Sequence, residues 1–106
     1  EGIQLSVIKK DGTRQAFSRE KILKGLNIAC SKRPVSNEDL INLVNEVEQS
    51  LQSRRNLEIP ADTIGEMLMD GLKKLDKVAY VRFASVYRDF TDVESFAQEI
   101  SKISDN

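Results

Sequence analysis

The sequence predicts a single α+β domain, and three observations carry that expectation. A short alternating run flanks Asp11-Gly12, apolar residues then recur at spacings of three and four, and one extended run, Leu57-Glu58-Ile59-Pro60, interrupts the helical pattern. At 106 residues the chain fits one compact domain. A chain of this size buries roughly 60–70% of its unfolded surface, enough for one core without disulfide or metal staples. The resulting order places a four-helix bundle under one small three-stranded sheet, with a further helix at the C-terminal end.

Leu5-Ser6-Val7-Ile8-Lys9 alternates in part and reads as the first strand. Asp11-Gly12 signals a two-residue hairpin, because both turn positions tolerate positive φ, and Arg14-Gln15-Ala16-Phe17 returns as the second strand. Ser18 is placed to cap a helix from Arg19 to about Cys30, whose stripe is Ile22, Leu23, Leu26 and Ala29/Cys30. Lys32-Arg33-Pro34-Val35 breaks that helix. Ser36 with Asp39 forms a weaker version of a capping box for a second helix, reaching about Ser53 and turning Leu40, Leu43/Val44, Val47 and Leu51 inward. Leu57–Pro60 suits an edge strand, where a proline costs no ladder hydrogen bond. A third helix starts at Ala61 or Asp62 and buries Ile64, Met67/Leu68 and Gly71/Leu72; Gly65 and Gly71 weaken it by up to ~1 kcal/mol each, which close helix–helix approach would explain. The fourth, about Lys77 to Asp89, is the most apolar, and the tail helix spaces Val93, Phe96/Ala97 and Ile100 helically. Residues 1–92 therefore form the domain proper, and 93–106 an amphipathic helix suited either to a subunit contact or to packing on its own domain.

Composition removes several classes of function. Histidine is absent, and Cys30 is the one cysteine, so the usual general base, the usual zinc ligand and any internal disulfide are missing. Cys30 ends an apolar stripe and reads as buried filler. The acids scatter over helix faces without a defensible catalytic pair, and the reading is of a protein that is not an enzyme. No apolar run approaches the ~20 residues of a membrane span, so the expectation is a cytoplasmic protein with no membrane partner. Net charge is −1, yet residues 1–33 hold eight Lys/Arg against three acids, +5, leaving −6 for the rest. A basic segment on an acidic body is what an anion site looks like, and equally what a solvated face looks like.

The informative stretch is Val7–Ile22. Val7 and Lys9 share one face of the first strand, Lys9 and Lys10 flank the turn, and Lys21 lies in the first turn of the next helix, where a cation is disfavoured. A polyphosphate bound there would offset the repulsion and use the free N–H groups. Gln15 offers the donor and acceptor that an adenine edge requires. Lys-Lys-Asp-Gly is also a common solvated hairpin, and neither a Walker A sequence nor G-x-G-x-x-G is present.

The segment Val7–Ile22, with its V-x-K-[KR]-D-G start and its E-K-I helix opening, resembles the ATP-cone signature. Two further stretches, Ala29-Cys30-Ser31-Lys32-Arg33-Pro34-Val35-Ser36 and Val78–Phe90 with its V-A-Y-V-R-F-A-S-V-Y-R run, are similar to the NrdR family of bacterial repressors of ribonucleotide reductase genes. The resemblance spans about residues 5–100. It implies an ATP-cone fold binding ATP and dATP, with magnesium as an admissible companion, between sheet and helices. Lys9, Lys10 and Lys21 match phosphate-binding positions, Val7 and Gln15 match adenine-reading positions, and Tyr87 falls in the stretch lining the base. The family's usual Glu is Gln15 here, and a common Ser/Thr before the third helix is Ala61. The resemblance also implies nucleotide-dependent oligomers, and operator DNA bound by the full-length protein through an N-terminal zinc ribbon. None of that ribbon's cysteines is in this chain, so zinc is expected only there and the chain reads as a fragment beginning after it. Two other readings stand beside this one: the regulatory ATP-cone of a ribonucleotide reductase large subunit, and a nucleotide-free helical interaction module.

Overall fold

The computed structural model describes residues 4–88 and 93–104. Ser6–Ile8 (β1) and Arg14–Ala16 (β2) pair antiparallel, with Val7 opposite Gln15. Glu58–Pro60 (β3) joins β1 in parallel, giving the order β2-β1-β3. Pro60 thus lies on an edge strand. The hairpin differs from the two-residue turn expected from Asp11-Gly12. Gly12 N–H donates to the Lys9 carbonyl and Lys9 N–H to the Thr13 carbonyl, both at 2.8 Å, so three residues, Lys10 to Gly12, form the loop. Only Gly12 takes positive φ, 88°. Asp11 keeps an ordinary backbone because its carboxylate accepts from the Thr13 amide (2.9 Å) and hydroxyl (2.7 Å), which closes the turn from the side-chain side.

Four helices follow: Arg19–Ala29 (α1), Asn37–Gln52 (α2), Ala61–Leu75 (α3) and Lys77–Tyr87 (α4). Three have side-chain caps. The Ser18 hydroxyl accepts from Lys21 N–H, that of Ser36 from Asp39 N–H, and the Asp76 carboxylate from Ala79 N–H, each satisfying an orphan donor. The helix α3 starts directly from Pro60 without one. Contacts run α1 to α2, α2 to α3, α3 to α4 and α4 back to α1, a closed ring, with β3 packed on α3. Leu26, Val44, Leu51 and Leu72 are fully enclosed, each contributing about 1.5–3 kcal/mol by burial. Leu5 and Ile59 carry the core up to the sheet, and Cys30 is buried as expected.

Both α3 glycines sit where helices close in. A Cβ on Gly71 would collide with the Leu43 side chain of α2, and one on Gly65 with the Tyr87 ring of α4. Beyond α1 the chain turns through Lys32, at φ 61°, and Arg33 grips Asp76 through two bonds of 2.9 and 3.0 Å. That guanidinium holds the Asp76 carboxyl below the usual range.

Val93–Ser104 (α5) packs on α4. Among its described side chains, Glu99 joins Ile100 and Ile103 on the inward face. Glu99 and Ile103 are buried, Ile100 is half-buried and Ala97 is exposed; the side chains of Val93 and Phe96 lie outside the described residues, as does the end of the fourth helix placed at Asp89. Glu99 is acceptable inside because both of its carboxylate oxygens have partners. Tyr80 donates its hydroxyl hydrogen to one carboxylate oxygen and Arg88 pairs with the other, so the buried charge is compensated.

Candidate functional site

A cleft of about 210 Å³ opens between the sheet and the ring of helices. Val7 and Gln15, cross-strand partners, supply the sheet side, and Phe17, Ser18, Lys21 and Ile22 supply the entry to α1. Ala61, Ile64, Gly65 and Leu68 of α3 form the floor with Phe83 and Tyr87 of α4. The register explains the sheet side: residues opposite each other in an antiparallel pair put their side chains on one face. The Phe83 and Tyr87 rings, one turn apart, lie near parallel at 11° with centroids 6.1 Å apart. Gly65 keeps the floor open, since any larger residue would push on the Tyr87 ring.

Tyr87 is held in place by its hydroxyl, which donates to the Ala61 carbonyl at 2.7 Å, with Asp62 Oδ1 3.3 Å away. Burial, with the nearby Asp62 and then Glu66 charges, pushes its pKa up to about 12. The phenol is therefore a neutral donor at physiological pH.

Of the six residues singled out in the sequence, Val7, Gln15, Lys21 and Tyr87 come together around this cleft. Lys9 and Lys10 do not line it. They are exposed at the hairpin turn, with Lys9 two residues along the strand from Val7. Among the described residues no ion pair within 4 Å engages Lys9, Lys10 or Lys21, whereas Arg14, Arg19, Arg33 and Arg88 are each paired with a carboxylate. The Lys9 charge does reach Asp11, whose carboxyl is lowered first by its Thr13 hydrogen bonds and further by that lysine.

Sequence reasoning missed the floor. Ile64 and Leu68 have the spacing of ordinary core and are buried, and only the fold shows that they line the cleft. Ala61 lacks the hydroxyl common at this position in the family, yet it lines the cleft and its carbonyl anchors Tyr87. Phe83 carried a usable signal, one helical turn before Tyr87.

Two of the larger hollows fit a nucleotide less well. One of about 410 Å³ lies between α1 and α4, lined by Gly25, Ile28 and Val86 among others, and its one cation, Arg82, is committed to the Ala29 and Ser31 carbonyls. The other, about 490 Å³, is bounded by Asp70, Lys73, Lys74 and Lys77 and lacks an apolar wall for a base. Among the described residues no group of three His, Cys, Asp or Glu could hold a metal, and no helix is long and apolar enough to cross a membrane.

Comparison with known proteins gives a consistent result. The family described as the ATP cone domain matches residues 5–93. Proteins called transcriptional repressor NrdR are similar over nearly the whole chain: 50% identical in Finegoldia magna over 99 residues, 93% of this chain and 66% of the relative. The relative in Geobacillus kaustophilus is 52% identical over 93% of this chain and 65% of its own length, and that in Halalkalibacterium halodurans 52% over 97% and 67%. The chain spans about two thirds of the length of these relatives.

Proposed function

The chain belongs to the ATP-cone family, in its NrdR branch, and from that premise we propose that it is the adenine-nucleotide sensor of a transcriptional repressor. The single observation that carries the reading is the cleft, where four residues chosen from sequence alone, Val7, Gln15, Lys21 and Tyr87, meet around one opening. Its size supports a division of the ligand. At about 210 Å³ it falls below the ~300–1,000 Å³ of pockets that enclose drug-sized molecules, so it takes the base and leaves the phosphates outside. The base lies against Val7 and the aromatic Phe83–Tyr87 wall, and Gln15 reads its edge. The polyphosphate runs past the first turn of α1 to Lys21, with Lys9 and Lys10 reaching down from the hairpin on flexible stems. Amides of a helix N-terminus add to that attraction.

ATP and dATP are the ligands of this reading, with magnesium, where present, riding on the phosphates. Zinc has no role in these residues and belongs to a ribbon elsewhere in the whole protein. The output is a change in self-association that sets whether the whole repressor engages operator DNA. The relatives carry the name of a repressor and of no enzyme, consistent with a site that holds a nucleotide and offers no general base.

Thermal melting tests the reading. A ligand that binds only the folded state at 100 times its Kd stabilises by about 2.7 kcal/mol, worth roughly 10 °C or more for a domain of this size. ATP is expected to raise Tm by that order, and inorganic triphosphate by much less because it leaves the base site empty. Equal shifts with both, or none with ATP, would remove the nucleotide reading.

A further inference from the structure

Tyr87, which walls the cleft, is followed directly by Arg88, the C-cap of α4. Arg88 reaches two other helices. Its Nη2 donates to both carboxylate oxygens of Glu66 on α3 at 3.1 Å, and its Nη1 lies 3.6 Å from Glu99 Oε1 on α5. Glu99 is 3% exposed and accepts from the Tyr80 hydroxyl as well. The helix α5 is thus seated through a buried carboxylate, with Ile103 beside it, rather than through an apolar stripe alone. A buried carboxylate is costly without its partners, so a seated α5 favours the Arg88 position that reaches Glu99.

We propose that α5 is a latch on the cleft: seated through Glu99, it fixes Arg88 and with it the last turn of α4, which holds Tyr87 against Ala61 in the geometry that receives the base. Arg88 is a positioning residue in this scheme and does not itself touch the ligand. The latch rests on the reading of the cleft as an adenine-nucleotide site. Nucleotide binding tightens α5, and a loosened α5 weakens nucleotide binding. Linkage requires the two effects to be equal in size, so the cleft's occupancy is reported on a helix that contributes no residue to its lining.

The test uses the full 106-residue chain. Hydrogen–deuterium exchange of residues 93–104 is followed with and without saturating ATP, and ATP affinity is measured by calorimetry for the wild type, Glu99→Gln, Arg88→Met and Arg88→Lys. Expected are about five-fold slower exchange in α5 with ATP and a matching loss of affinity in Glu99→Gln and Arg88→Met, with Arg88→Lys partly rescued because it keeps a charge for Glu99. ATP binding to the wild type without any change in α5 exchange overturns the latch and leaves the cleft standing; no ATP binding at all overturns both. Should a variant fail to fold by circular dichroism, the wild-type exchange comparison decides alone.

Discussion

The two ends of α1 use basic side chains in opposite ways. At the C-terminal end Arg82 donates to the Ala29 and Ser31 carbonyls, and Arg33 just beyond binds Asp76 with two hydrogen bonds. Cations there complement the helix dipole, an effect worth about 0.3–1 kcal/mol, and the Arg33 pair ties the α1–α2 loop to the cap of α4. At the N-terminal end Lys21 sits where the dipole disfavours it, exposed and with no carboxylate within 4 Å among the described residues. One end is complete in the protein alone; at the other, Arg19 is paired with Glu48 and Glu20 lies in the first turn, while Lys21 is left for an anion to join. That contrast separates charges that hold the fold from charges that await a ligand.

The largest effect should come from breaking the completed end. Asp76→Ala removes the α4 cap and leaves Arg33 without its partner, and a loss of about 2–4 kcal/mol is expected in urea unfolding. ATP affinity should change less than two-fold; a large change would mean that the two ends are not independent. Next in size is Gly65→Ala, which sets a methyl group against the Tyr87 ring. Overpacking of this kind costs about 1–3 kcal/mol, and here it should also abolish the ATP-induced rise in Tm.

A smaller effect is expected from Tyr87 at high pH. The folded state raises this phenol from 10.0 to about 12, so it holds its proton more tightly than the unfolded chain does. The stabilisation is therefore complete below pH 10 and is lost as pH rises toward 12. The difference in stability between wild type and Tyr87→Phe, followed from pH 9 to pH 12, should shrink across that window; a constant difference would show that burial does not set this proton. Smallest is Lys21→Ala, expected to leave stability within about 0.5 kcal/mol and, if anything, to raise it, since a cation leaves a helix N-terminus.

Elements governed by neighbours in sequence were legible before the structure. Ser18, Ser36 and the glycine spacing of α3 marked caps and close approaches that the fold contains. The hairpin was placed correctly but its type was not, because Asp11-Gly12 serves two- and three-residue loops alike and the Thr13 contacts to Asp11 decided between them. Half of the cleft was legible, since Val7, Gln15 and Lys21 lie within one short stretch and Tyr87 in a recognisable run. Its floor was not, because Ile64 and Ala61 are far in sequence from Val7 and Gln15 and become lining only when the fold brings α3 beneath the hairpin strands. Buried Glu99 was likewise hidden, for its partners Tyr80 and Arg88 are on another helix.

Calorimetric titration of ATP into the wild type, Lys21→Ala and Lys24→Ala tests the central claim most directly, since Lys24 is an exposed lysine one turn further along the same helix. A charge-assisted contact to phosphate is worth about 1.5–3 kcal/mol, so Lys21→Ala is predicted to bind at least about ten-fold more weakly while Lys24→Ala matches the wild type. Equal affinities for all three proteins would contradict the assignment of the N-terminal end of α1 to the ligand's phosphates.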